Sequence, residues 1–434
     1  MKIKTISLLL FFTILISILS LSASAETEGI FEYFDESDYG YCMIGKCYEP
    51  VGKVVIPTEI GGNPVVTIHD SAFADANELT AIVIPKTITG IYATSFRGCT
   101  GLKDVYYEGS ASEWNEIQIG FECEIDEGIK DTSLFDAKIH FNDETTTKKH
   151  GIFEYVIENK KAIIIKCERN TKGVVKVPEK IEGCDVISIG NHAFFNCTEI
   201  EEIILPDTVE KISTFAFAYC DNLKKVNIPK KVSELKPFTF VDCVSLKAVS
   251  LPDKIKEIPM GLFMRSGIEN IVIPSSVETI SYKAVIDCES LTSVTLPQNL
   301  KLLSEGAFTN TAIKELVFSE GLKEIEAWAI TECKNLEMIS LPKSVEKIGM
   351  NICDGCDNLK TVRYPGNESD WEKIDLVKIN DEINNAEKIF SYKAPENKKT
   401  KTSFYIAISS AVILALLRII ISAVKKKRNK EDIG

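Results

Sequence analysis

The stretch Leu223-Lys224-Lys225-Val226-Asn227-Ile228-Pro229 decides how the rest of the chain is read. Val226 and Ile228 are two apart, which puts both on one side of an extended strand, facing a core. Lys225 and Asn227 then point outward onto the sheet surface. Pro229 ends the strand, because proline has no N–H to give to a ladder. Closely similar stretches end at Pro206, Pro229, Pro252, Pro274, Pro297 and Pro342, with Ser319 in the slot between the last two. The steps are 23, 23, 22, 23, 22 and 23 residues.

A second marker keeps the same rhythm: Cys197, Cys220, Cys243, Ser266, Cys288, Thr311, Cys333 and Cys356. Where Cys gives way to Ser266 or Thr311, the distance to the next proline slot falls from 9 residues to 8. The whole unit reads Leu-x-x-Val-x-Ile-Pro, then an apolar residue, then Ala-Phe-x-x-Cys. A period of this length with leucine spacing predicts a leucine-rich repeat solenoid, mainly β with short helical turns, and one short strand per coil. Phe217, Phe240 and Phe263 are expected to stack as a column behind the sheet. No coil closes a core alone; its neighbours do.

The pattern occurs twice. Gly29-Ile30-Phe31-Glu32-Tyr33 returns as Gly151-Ile152-Phe153-Glu154-Tyr155. Pro57 to Pro85 is 28 residues, and so is Pro178 to Pro206. Val105 precedes Trp114 by nine residues, as Val362 precedes Trp371. A repeated start and finish predict two capped arrays, since a solenoid must cover its open ends. The first spans 29–142 with about two coils, and the second spans 151–392 with about eight, joined by a polar linker over 143–150. Two coils fall short of the three or so that stability asks, so the first array should lean on its caps or on the second.

These units resemble the BspA-type leucine-rich repeats of cell-surface proteins. The resemblance covers 29–392 and includes the Gly-x-x-x-x-Trp ending at Gly109–Trp114 and Gly366–Trp371. It implies adhesion to host or neighbouring cells, binding of extracellular-matrix proteins, or immune recognition, and no catalysis. The Leu-Pro-x-Thr-Gly wall-sorting signal is not found in the sequence.

The two ends carry targeting signals. A basic start, an apolar run to Leu21 and Ala23-Ser24-Ala25 predict a secretory signal over 1–25. Residues 393–403 form a short stalk. Phe404–Val424 is apolar and long enough, at roughly 31 Å as a helix, to cross a bilayer. The basic tail 425–434 follows at once, which keeps it cytoplasmic and places the repeats outside, as a single-pass membrane protein. Removing the +2 of Lys2 and Lys4 and the +4 of 404–434 from the net charge of −13 leaves −19 on the exterior. That argues against nucleic acid, which needs a basic footprint.

The repeat accounts for nearly every exterior residue and leaves no room for a catalytic domain, cofactor or metal site. Cys353-Asp-Gly-Cys356 has redox or metal spacing, but Cys356 is a ladder cysteine and Cys353 takes the Phe217 slot. The ladder cysteines read as small buried thiols. Cys42 and Cys47, outside the ladder, are the candidate disulfide. The histidines His69, His140, His150 and His192 lack metal spacing and read as surface or turn residues. The outward strand positions are the candidate binding face: Glu202, Lys225, Asn227, Ser250, Asn270, Ser293, Thr295, Glu315, Ser340 and Arg363, with apolar spots at Val272, Val317 and Met338. On this reading Asn227 tolerates alanine. The expected partner is an extracellular protein. The alternative is a structural or receptor component of the cell's own envelope.

Overall fold

The computed structural model describes residues 25–36, 39–121, 133–141, 147–377 and 379–392. The signal segment up to residue 24, the stalk, the apolar segment 404–424 and the basic tail lie outside the described residues. Among the described residues, no helix is long and apolar enough to cross a membrane.

The chain coils as a leucine-rich repeat solenoid of about 14 turns, mainly β with few helices. Each regular coil carries two short strands rather than the one expected. In one coil these are Ile200–Ile204 and Lys211–Ile212. The first pairs in parallel with Lys225–Val226 and the second with Glu234–Leu235, so two ladders run along the solenoid. The proline between them opens a tight turn: the Val209 N–H donates to the Pro206 carbonyl and Val232 to Pro229. Each stack also runs two rungs beyond its last repeat. These are Asp104–Tyr107 and Lys138–Phe141 in the first, and Thr361–Tyr364 and Glu387–Phe390 in the second.

The far side of each coil is a third hydrogen-bonded face. From Phe215 to Tyr219 every second N–H donates to the next coil: Phe215 to Pro237, Phe217 to Thr239 and Tyr219 to Val241. The intervening amides, Ala216 and Ala218, turn back within their own coil, to Ser213 and Phe215. Alternation of this kind needs left-handed residues four apart. Phe215 and Tyr219 hold φ of 55° and 57°, and Phe238 and Asp242 repeat this at 58° and 56°. Bulky residues rarely adopt that region; here the ladder over-determines it. Inside this face Phe194, Phe217, Phe240 and Phe263 stack at centroid spacings of 5.4, 5.4 and 5.6 Å. A second layer on its outer side gathers Phe195, Phe215, Tyr219, Phe238, Val241 and Met264.

The strand hairpin Phe153–Glu158 with Lys161–Cys167 is buried on both faces. Tyr155, Ala162 and Ile164 point into the core of the second stack, while Val156, Ile163 and Ile165 complete the core of the first. Lys148–His150, expected to be linker, is a strand paired with Phe153–Tyr155. The finishing motif is also explained. The Tyr107 ring meets the Trp114 ring edge to face at 5.2 Å, and Tyr364 meets Trp371 at 5.4 Å. A Cβ at Gly109 or Gly366 would run into that tyrosine ring.

Candidate functional site

The outward positions of the first ladder form the candidate face. Ser250, Asn270, Ser293, Thr295 and Glu315 are exposed, with Val272 and Val317 exposed beside them. Their spacing is set by the rungs: Asn270 lies opposite Ser293, and Val272 opposite Thr295. The middle of this face therefore carries small polar side chains, two exposed valines and one carboxylate, Glu315.

Its two ends differ. Glu202 is half-buried and ion-paired with Lys225 at 2.6 Å. Asn227 does not stand free. Its Oδ1 accepts from the Leu205 N–H at 2.7 Å and its Nδ2 donates to the Leu205 carbonyl at 2.9 Å. The carboxamide thus supplies a rung where the backbone ladder stops, so Asn227 holds the fold. Ser340 and Met338 are 3% and 6% exposed, so neither offers a surface. Rungs crowd them from both sides: Ser340 lies between Val317 and Arg363, and Met338 between Glu315 and Thr361. Arg363 itself is half-buried.

One outward cluster was not anticipated. In the first stack Lys53 lies 4.3 Å above the Tyr106 ring, which stacks on His140 at 4.6 Å, and His140 reaches Asp104 at 2.7 Å. Tyr106 and His140 fall in the Asn227 slot of the repeat and Lys53 and Asp104 in the Lys225 slot, and that outward phase was the available signal.

Charges elsewhere pair at the offset of one coil. Lys224 meets Glu201 at 2.7 Å, Lys301 meets Glu278 at 2.6 Å and Lys347 meets Glu324 at 2.6 Å, each across 23 residues. Exposed pairs of this kind are worth about 0–1 kcal/mol each. Their sum favours the register in which neighbouring coils sit side by side.

The cysteines serve the fold. Cys220, Cys243 and Cys288 donate S–H to the carbonyls of Phe194, Phe217 and Phe263 at 3.1, 3.1 and 2.9 Å. Thr311, in a ladder-cysteine slot, bonds the Phe308 carbonyl at 3.1 Å. Burial pushes the Cys220 and Cys288 thiols up to about 12, which keeps them protonated and unreactive. Cys353 and Cys356 are likewise free and buried. Cys42 and Cys47 are not a disulfide. Both lie in the one strand Tyr41–Cys47, five residues or roughly 16 Å apart along it, far beyond bridging distance. No group of three or more His, Cys, Asp or Glu side chains suited to a metal occurs among the described residues. His192, expected at a surface or turn, lies in a turn but is buried at 4% exposure between the rings of Phe135 and Phe215.

The family model described as BspA type leucine rich repeat region matches in 6 copies, over residues 59–120, 179–290 and 256–374. No curated protein matches the sequence. Among solved structures, a leucine rich cell surface protein of Faecalibacterium prausnitzii is 20% identical, with 82% of this chain and 98% of that one covered and a TM-score of 0.31. The leucine-rich repeat protein TpLRR of T. pallidum is 24% identical over 49% of this chain and 91% of its own, with a TM-score of 0.37. A leucine-rich repeat protein of Eubacterium ventriosum is 16% identical over 87% and 98%, with a TM-score of 0.40.

Proposed function

The chain belongs to the BspA-type leucine-rich repeat family, and from that premise we propose that it is a non-catalytic, membrane-anchored cell-surface protein that captures a protein ligand on its outer sheet face. A repeat solenoid is suited to protein–protein interaction because its stacked coils present one long, repeating surface. The observation that carries the choice of face is the run Ser250, Asn270, Ser293, Thr295 and Glu315. These side chains are exposed and take no part in the side-chain hydrogen bonds or ion pairs that hold the solenoid. By contrast, outward residues such as Asn227 are consumed by the fold. Anchoring rests on the apolar segment 404–424 with its basic flank, and surface exposure on the N-terminal signal.

The test is capture. The exterior, residues 26–392, is presented to a panel of immobilised extracellular-matrix proteins. It is compared with a variant carrying Asn270→Ala, Ser293→Ala, Thr295→Ala and Glu315→Ala. Binding by the parent that falls at least tenfold in the variant, with an unchanged melting temperature, supports the face. Equal capture by both moves the site to a cap or an edge.

A further inference from the structure

Both sheet ladders are interrupted at the same place in the second stack. On one face the rungs stop at Lys225–Val226 and resume at Asn270–Val272; the intervening stretch Leu246–Ser250 forms no strand. On the other face Glu234–Leu235 is the last rung of one sheet and Glu257–Ile258 the first of the next. No backbone hydrogen bond on either sheet face joins residues 223–237 to residues 246–259.

The sequence supplies a reason. In regular coils the residue after the second strand donates its N–H to the coil before: Ser213 to Ile189, Lys236 to Ile212, Ser281 to Ile258 and Ser304 to Ile280. In the coil between Lys236 and Ser281 that slot is Pro259, which has no N–H to give. The first ladder is also loosened from the following coil. That coil is one residue short after Ser266, and a single bond, Glu269 N–H to the Lys247 carbonyl at 2.9 Å, remains there.

The third face is intact across the same seam. Phe238, Phe240 and Asp242 donate to Met260, Leu262 and Met264, and the Phe240 and Phe263 rings stay stacked. The aromatic layer outside it also spans the seam, from Phe238 to Met264. The brace from the first stack ends just before it. Glu116 reaches Lys211 at 3.0 Å and Lys236 at 3.1 Å.

We propose that the solenoid carries a hinge between the coil of residues 223–243 and the coil of residues 246–266, with the phenylalanine face as its pivot and the two sheet faces as the side that opens. The first stack and the leading coils of the second move as one body, and the coils from 246 onward as another. Bending at the seam changes the separation of the outer sheet face on its two sides, Glu202 and Lys225 before it, Asn270 and Ser293 after it. Local opening of this kind is drawn from the places with fewest cross-links.

Two spin-label pairs, each four coils or roughly 19 Å apart, test it by pulsed electron paramagnetic resonance. Glu202→Cys with Ser293→Cys spans the seam; Asn270→Cys with Thr361→Cys lies wholly beyond it. Both are made in the full exterior with Cys123 and Cys184 replaced by serine. The expected result is a distance distribution at least twofold wider for the first pair. Pro259→Ser, which puts the repeat's own donor back in the slot, should narrow it towards the second. Equal widths in the parent would overturn the hinge, and so would a wide distribution that Pro259→Ser leaves unchanged.

Discussion

Asn227 shows how a residue of the right phase acquires a structural role. Sequence periodicity puts it on the outer face, which is where it lies, but periodicity carries no information on what an outward carboxamide touches. Its two bonds to Leu205 replace a missing rung. Asn227→Ala should therefore cost about 1–2 kcal/mol in urea unfolding, since it strands a donor and an acceptor. Asn270→Ala, at the equivalent face but exposed and unengaged, should stay within about 0.5 kcal/mol. Equal effects at the two positions would show that the Leu205 bonds contribute nothing. The cysteine slots were legible at this scale because their substitutes, Ser266 and Thr311, keep a small polar group there. Ser340 was not: its burial comes from neighbours in other coils, not from its own unit.

Among the elements, the first strand and the phenylalanine column follow from alternation and from a period that returns the same residue to the same place. The second strand escaped because it is two residues long, too short for alternation to show. The turn ladder escaped because its left-handed slots hold Phe215, Tyr219, Arg265 and Trp328 as well as Gly261 and Gly306, so no one residue type recurs to announce the backbone they adopt. Phe240 is fully buried between Phe217 and Phe263. Phe240→Ala should cost about 3–5 kcal/mol. Coupling in a solenoid is between nearest neighbours, so the accelerated amide exchange should centre on residues 217–263 and leave 315–364 protected. Uniform acceleration over the whole second stack would contradict that locality.

For the whole molecule, the joint between the stacks is the part least visible in sequence, because it depends on residues far apart in the chain. Asn191 donates from its Nδ2 to the Trp114 carbonyl at 2.9 Å and from its backbone N–H to Asn115 Oδ1 at 2.8 Å. Lys166 donates to the carbonyls of Phe135 and Asp136, both at 3.0 Å. His192 sits among these groups with its Nδ1 unbonded. Burial, and then the charge of Arg169, hold its pKa well below the usual imidazole value of 6.5. Below pH 6.5 the unfolded chain takes up a proton that the folded joint refuses, so stability falls by up to about 1.4 kcal/mol per pH unit for this one group. Glu116 acts in the same direction. Burial raises its pKa, but Lys236 and Lys211 outweigh that and hold it low, so its contribution is present above the ordinary carboxylate range and fades as pH falls. His192→Phe keeps the ring column, uses a residue type that Phe215 and Phe238 show the slot accepts, and cannot be protonated. Melting temperatures should diverge between pH 6.5 and 5, with the parent falling faster than the variant. Parallel curves would remove His192 as the cause.

The hairpin that serves two cores has a consequence for how the protein is made. The first stack ends with the rung Lys138–Phe141, and the 24 residues from Asn142 to Ile165 must leave the ribosome after it and before its floor exists. At about 5–20 residues per second that is an interval of roughly 1–5 s in which Ile82, Val105 and Trp114 have no lid. Synthesis alone thus sets a waiting period during which the nascent first half keeps part of its core uncovered, and it ends only when Val156, Ile163 and Ile165 arrive.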